Sequence, residues 1–271
     1  MAPKVSVNIC CYNGDKYLQP TIDSIFKQTY ADFEIVIIDD GSKDKTQQIV
    51  RSYHDDRIKY HYQENHGLSY SRNKARSCSR GEYIAIVDQD DIWYPEKLER
   101  QVKILDHEPD LGLVYSDANY IDSSGRINGS FFHDLAPQRG NVTKGLLSGN
   151  FIPCPTVLLR LGLLKQTGPF REDLRFAEEY ELFLRLSLIS RFEFINRPLA
   201  GYRVHENNTS NNMKAMYGET ISILTEFSQQ PIEQDLVAAA KKQVRRLKLA
   251  TAAYHIGKII RRIKGGLLCK R

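Results

Sequence analysis

The chain has 271 residues, 41% of them hydrophobic and 26% charged, which excludes disorder, collagen and small disulfide scaffolds and allows about three quarters of the unfolded surface to be buried. Its formal charge of +5 is uneven: residues 241–271 hold 11 Lys or Arg and no acid, leaving 27 basic against 33 acidic residues in 1–240. No apolar run approaches the roughly 18 residues needed to cross a bilayer, Asn8 interrupts the first apolar stretch before a signal-peptide core forms, and five cysteines show no metal-ligand spacing, so a cytoplasmic location is expected.

Val5 to Cys11 alternates small or polar with branched apolar residues and runs into Asn13-Gly14, the pattern of a strand and a turn. Leu18, Ile22, Ile25 and Phe26 share a helical face, which requires Pro20 to lie in the first turn. Phe33 to Ile38 is a second strand, ended by Asp39-Asp40-Gly41-Ser42, with helical composition from Asp44 to Tyr53. Arg57 to Tyr62 and Tyr83 to Val87 read as further strands, separated by a helix from Leu68 to Ser79 and followed by one beginning near Pro95. This alternation predicts an α/β fold: a mainly parallel, mixed sheet flanked by helices.

After residue 112 the pattern loosens into an extended segment from Leu113 to Ile121, a loop to about Thr143 and a strand near Pro155 to Leu159. Glu178 to Ile189 has the spacing of a buried helix, Phe192 to Tyr202 is extended, and the chain is helical from about Asn212. The expected division is a domain over 1–212, with halves at about 1–111 and 112–212, and a helical extension over 213–271.

In such sheets ligands bind beyond the carboxyl ends of the strands, where the acidic clusters fall. Asp88-Gln89-Asp90-Asp91 places three carboxylates within four residues. Hard cations such as Mg²⁺ or Mn²⁺ prefer carboxylate oxygen and keep positions open for phosphate; the competing account is a solvated acidic turn capping the helix at Pro95. Asp40 could accept a hydrogen bond from a nucleobase N–H, with Gly41 permitting close backbone approach, or could cap a helix. Trp93 and Tyr94 suit either a sugar platform or the core.

Six segments in order give the chain its resemblance to the family 2 glycosyltransferases of GT-A (Rossmann-like) fold: Val5-Ser6-Val7 through Tyr12-Asn13-Gly14, Phe33-Glu34-Ile35 through Asp40-Gly41-Ser42, Gly67-Leu68-Ser69 through Arg72-Asn73, Gly81-Glu82-Tyr83 through Asp91, Phe176 through Leu186, and Tyr202-Arg203-Val204-His205. The resemblance implies transfer of a sugar, with inversion, from a UDP-sugar donor to a hydroxyl of a glycan, glycolipid or glycoprotein acceptor in bacterial surface polysaccharide or glycoprotein glycan synthesis. It also implies a nucleotide-binding half over about 1–111 and an acceptor half over about 112–212. Cys10, Tyr12 and Asp40 match positions lining the uracil pocket, and Arg72 matches a basic position near the nucleotide. Asp88 and Asp90 match the Asp-x-Asp motif, Asp88 near the ribose and Asp90 on the metal, Mn or Mg.

The family usually presents Glu-Asp where this chain has Glu178-Glu179, and the second carboxylate is the expected general base, here Glu179. The extra methylene moves the carboxylate by roughly 1 Å, enough to affect rate unless the backbone adjusts. By the same resemblance His205 completes the metal shell and Arg203 offsets phosphate charge. Trp93, through its aromatic face, Glu178 and Arg203 are candidate acceptor or sugar contacts.

From 241 onward, Leu249, Ala253, Ile256, Ile260, Ile263 and Leu267 recur at helical intervals among Lys and Arg. Such a helix can lie on the anionic inner face of a membrane, or can pack its apolar stripe on the catalytic domain or on another subunit of a homo-oligomer. Without aromatic interleaving it is not expected to bind nucleic acid. Sugar-nucleotide synthesis is disfavoured because no glycine- and lysine-rich triphosphate loop is present; a noncatalytic nucleotide-sugar-binding or assembly subunit is the alternative function.

Overall fold

The computed structural model describes residues 2–133, 136–206, 208 and 211–268, with side chains through residue 252. Its first part alternates strand and helix: β1 (Val5–Cys11), α1 (Leu18–Phe26), β2 (Phe33–Asp39), α2 (Thr46–Arg51), β3 (Ile58–Tyr62), α3 (Leu68–Cys78) and β4 (Tyr83–Asp88). β5 (Ile92–Trp93), α4 (Lys97–His107), β6 (Leu111–Ile121), β7 (Ile127–Ser130), α5 (Thr143–Ser148) and β8 (Leu158–Arg160) follow. The chain continues through α6 (Leu161–Thr167), α7 (Glu178–Ser187), β9 (Arg191–Arg203), α8 (Met213–Phe227) and α9 (Gln234–Leu268).

The sheet runs β3-β2-β1-β4-β8-β6-β9-β5, with β7 paired to β6. β3, β2, β1 and β4 are parallel, as continuous branched apolar runs require when both faces are covered. β8 is antiparallel to both β4 and β6, a single reversed strand between two that run the same way. Register then does the functional work: Cys10 pairs with Asp88 on one side, and Cys11 with Asp39 on the other. The acidic corners after β2 and β4 thus flank the end of β1.

Pro20 is the third residue of α1, as its missing N–H demands. The strand expected near Pro155 begins later, because Cys154–Thr156 forms a 3₁₀ turn in which Pro155 has no ladder donor to give. The short α5 and α6 lie where the sequence has too few apolar repeats to announce a helix.

One core cluster, containing Val7, Ile9, Leu18, Ile22, Ile35, Val102 and Leu105, underlies the first half. The other joins Tyr115, Leu146, Tyr180 and Phe183 to Ile223, Leu224 and Phe227 of α8 and to Leu236 and Ala240 of α9. The core therefore runs across residue 212, and each buried large apolar side chain of α8 contributes roughly 1.5–3 kcal/mol of burial. α9 is also tied to α5, by Lys144 to Asp235 at 2.6 Å and Gln243 Nε2 donating to the Ser148 carbonyl at 2.8 Å. Leu249 is 72% exposed, while the expected stripe positions Ala253, Ile256, Ile260, Ile263 and Leu267 lie outside the described side chains. Among the described residues no helix is long and apolar enough to cross a membrane.

Candidate active site

The loops after β1 and β2 are sewn together by short polar side chains. Ser42 Oγ accepts from the Asn13 N–H at 2.9 Å, and Asn13 Oδ1 accepts from the Lys43 N–H at 2.9 Å. Gly41 turns the chain at φ +84°, where a Cβ would meet the Asn65 nitrogen at 2.9 Å, so only glycine fits both the conformation and the approach. Beside it Asp40 is buried, with Oδ1 accepting from Gln63 Nε2 at 2.8 Å and the His66 N–H at 2.9 Å, and Oδ2 from the Gly67 N–H at 2.8 Å. Three donors leave this carboxylate about one free lone pair toward the cleft it lines.

Arg72 projects from α3 into a buried acidic cluster. Its NH1 donates to Glu178 Oε1 at 2.7 Å and Glu179 Oε2 at 2.9 Å, and NH2 to Asp88 Oδ1 at 3.0 Å. The side chain is 3% exposed yet borders the cleft, its guanidinium shared among the three carboxylates. Glu178 is equally buried and borders the same cleft. Burial and the neighbouring Glu179 charge push the Glu178 carboxyl up to about 8. Burial acts on Glu179 too, but Arg72 outweighs it and holds Glu179 below its ordinary value. The two carboxyls are thus pushed in opposite directions, Glu178 toward the neutral acid and Glu179, the more exposed of the two, toward the carboxylate.

The loop after β4 separates three carboxylates by environment. Burial raises Asp88 to about 6, with Arg72 opposing and Glu179 and Asp90 adding. Asp91 turns inward, its Oδ1 accepting from the Arg203 N–H at 2.7 Å while Oδ2 has no hydrogen-bond partner among the described residues. Burial, with Asp90 and Asp88 beside it, shifts Asp91 far upward toward the neutral acid. Asp90 faces the cleft, its Oδ2 2.7 Å from His205 Nε2. Tyr17 supports that contact, stacking on the His205 ring at 5.1 Å and carrying the Arg203 guanidinium over its own ring at 4.7 Å.

Arg203, expected to offset phosphate charge, is not among the residues that line the cleft. It is buried, and its Nε and NH1 donate to the carbonyls of Asp90 at 2.6 Å and Asp122 at 2.8 Å, so it shapes the acidic loop rather than meeting phosphate. Trp93 is 3% exposed, with Nε1 bonded to the Pro155 carbonyl at 2.8 Å and the Lys97 ammonium 4.0 Å above its ring. It is core, not a sugar contact, because its indole N–H and ring face are both occupied inside.

Cys10, Tyr12, Asp40, Arg72, Asp88, Asp90, Glu178, Glu179 and His205 all border one cleft of about 530 Å³. Tyr12 is 47% exposed at its mouth. Sequence reasoning missed Tyr17 and Gln89. The Gln89 amide binds both the N–H and the carbonyl of Tyr12, at 3.0 and 3.3 Å, and so joins the first loop to the acidic one. Only its place inside the Asp-Gln-Asp-Asp run could have pointed to it.

Asp90 and His205 offer an oxygen and a nitrogen side by side at the cleft. Mg²⁺ and Mn²⁺ accept such donors and keep positions for phosphate oxygens, so the pair fits an ion shared with a diphosphate. It does not fit a closed cage: among the described residues no group of three or more His, Cys, Asp or Glu could hold a metal.

Residues 6–163 match the family described as Glycosyl transferase family 2. An uncharacterized glycosyltransferase of Rickettsia typhi is 32% identical over 243 residues, spanning 87% of this chain and 75% of that one. WfgD of Escherichia coli, a UDP-Glc:alpha-D-GlcNAc-diphosphoundecaprenol beta-1,3-glucosyltransferase, is 31% identical over 231 residues, 84% of this chain and 88% of its own. The S. aureus TarS structure in complex with UDP-GlcNAc superposes with a TM-score of 0.71 at 24% identity, covering 90% of this chain and 71% of that one, a likeness that establishes the shared fold. With the sheet and cleft described above, the chain belongs to the family 2 glycosyltransferases and has their GT-A fold.

Proposed function

We propose that the chain is an inverting, metal-dependent glycosyltransferase using a UDP-sugar. The observation that carries this is the gathering of Asp40, Asp88, Asp90, Glu179 and His205, from four separate stretches of sequence, around one cleft. Asp40 uses its remaining lone pair for the base, with Cys10 and Tyr12 lining the same pocket, and Asp88 faces the ribose. Asp90 and His205 hold Mn²⁺ or Mg²⁺, which when bound offsets diphosphate charge. Glu179, kept ionised by Arg72, removes the proton of an acceptor hydroxyl as its oxygen attacks the anomeric carbon and the bond to UDP breaks.

The WfgD relative supports a UDP-sugar donor and a lipid-linked glycan acceptor in bacterial surface polysaccharide synthesis. Such an acceptor would give purpose to the exposed Lys241, Lys242, Arg245, Arg246 and Lys248 of α9, each worth about 1 kcal/mol near an anionic surface. The protein would then be cytoplasmic and peripheral at the inner face of the membrane. Full-length protein should co-sediment with anionic liposomes, and a truncation after residue 240 should not.

The test of the catalytic reading is Glu179→Gln. It should keep wild-type affinity for the UDP-sugar by calorimetry and lose turnover by at least ~100-fold. Near-normal turnover would remove Glu179 from the role of base.

A further inference from the structure

The N-terminus of α7, which bears Glu178 and Glu179, is closed by a carboxylate from outside the cleft. Glu219 on α8 accepts three successive backbone N–H groups: Oε1 from Arg175 at 2.9 Å, and Oε2 from Phe176 at 2.8 Å and Ala177 at 3.0 Å. Ala177, the residue at the N-cap, has no side-chain acceptor of its own, so this service has to come from elsewhere. Seven residues on, Glu226 of the same helix pairs with Arg171, while Ile223, Leu224 and Phe227 anchor α8 in the core. The strap from Arg171 to Ala177 is thus held from one face of one helix, and Arg175 and Phe176 within it line the cleft.

We propose that Glu219 is a positioning residue for sugar transfer, setting through the backbone of residues 175–177 the direction in which Glu179 meets the acceptor. The inference rests on the reading of Glu179 as the base. A glutamate reaches the acceptor hydroxyl through three rotatable side-chain bonds and has many ways to miss it, so the backbone that launches it has to be fixed. Charge-assisted bonds from one carboxylate to three consecutive N–H groups do that. Glu219 does not line the donor pocket, and its role separates catalysis from donor binding.

The experiment compares Glu219→Ala and Glu219→Gln in the full chain, following UDP release from UDP-glucose with a GlcNAc-diphosphoundecaprenol acceptor, the donor and acceptor of the WfgD relative. Glu219→Ala should lower kcat by ~30–100-fold, the scale of a reactant misplaced by about 1 Å, with the KM for the UDP-sugar within about twofold of wild type. Formate, a carboxylate small enough to enter the vacated nest, should recover part of that kcat where chloride of equal ionic strength does not. Glu219→Gln keeps the length and one acceptor oxygen; it decides the matter if the alanine variant does not fold, with an expected loss of ~3–10-fold in kcat alone. Wild-type kcat in both variants, or a loss shared by kcat and KM and indifferent to formate, would overturn the inference. Glu179→Gln run alongside separates the failures: if it turns over normally the base assignment falls and this inference with it, whereas if it is inactive and Glu219→Ala is normal, only the positioning role falls.

Discussion

Arg72 NH1 lies 2.7 Å from Glu178 Oε1 at a place where the two side chains are 3% and 2% exposed. The Arg72 guanidinium also meets Glu179 and Asp88, whose side chains are 22% and 34% exposed, and so offsets the negative charge that gathers around buried Glu178.

Arg72→Leu should therefore destabilise the fold by about 3–5 kcal/mol, the usual cost of leaving buried charge without its partner. Arg72→Lys should recover only part, because one ammonium cannot meet carboxylates on both sides as a planar fork does. Urea denaturation measures both; a loss under about 1 kcal/mol for Arg72→Leu would mean that water, not Arg72, compensates the acids.

Glu178 makes stability depend on pH. Its carboxyl is raised from 4.5 to about 8, so between those values the folded state holds a proton that the unfolded state has released, and its contribution to stability falls as pH rises through that window. Glu178→Gln, a permanently neutral mimic that still accepts from Arg72, should gain on the wild type steadily from pH 5 to pH 8 and level off above. Urea midpoints that differ by a constant amount across this range would place the proton elsewhere.

Gly14 and Gln89 form a second coupled pair. A Cβ on Gly14 would collide with Gln89 Oε1, the atom that accepts from the Tyr12 N–H. Gly14→Ala should displace the amide, cost about 1–2 kcal/mol and weaken UDP binding by loosening the loop that carries Tyr12. Gln89→Ala should cost a similar amount, and the double variant less than the sum, since both remove the same bonds. Additive losses would show that Gln89 does not hold the loop.

Much of this was legible in the sequence. Branched apolar runs interrupted by helical spacing implied the parallel half, and acids at two strand ends implied a polar cleft beyond β1, β2 and β4. The fate of individual side chains was not. Arg72 and Glu178 are 106 positions apart, and nothing local in Arg72-Asn73 says that its charge is consumed internally. Trp93 beside an acidic loop reads as a platform until the Pro155 carbonyl and the Lys97 ammonium are seen to claim it. Glu219 carries no motif; its only trace is the seven-residue spacing to Glu226 around buried Ile223 and Leu224, a pattern also found on any solvated helix face.

Calorimetric titration of UDP with and without Mn²⁺ tests whether the acids beyond the sheet hold a cation-bearing nucleotide. Wild-type protein should bind UDP at least ~10-fold more tightly with Mn²⁺ than without, and Asp90→Ala should lose that difference while remaining folded. Manganese-independent binding in the wild type, or an undiminished manganese effect in Asp90→Ala, would mean that these acids hold no cation for the nucleotide.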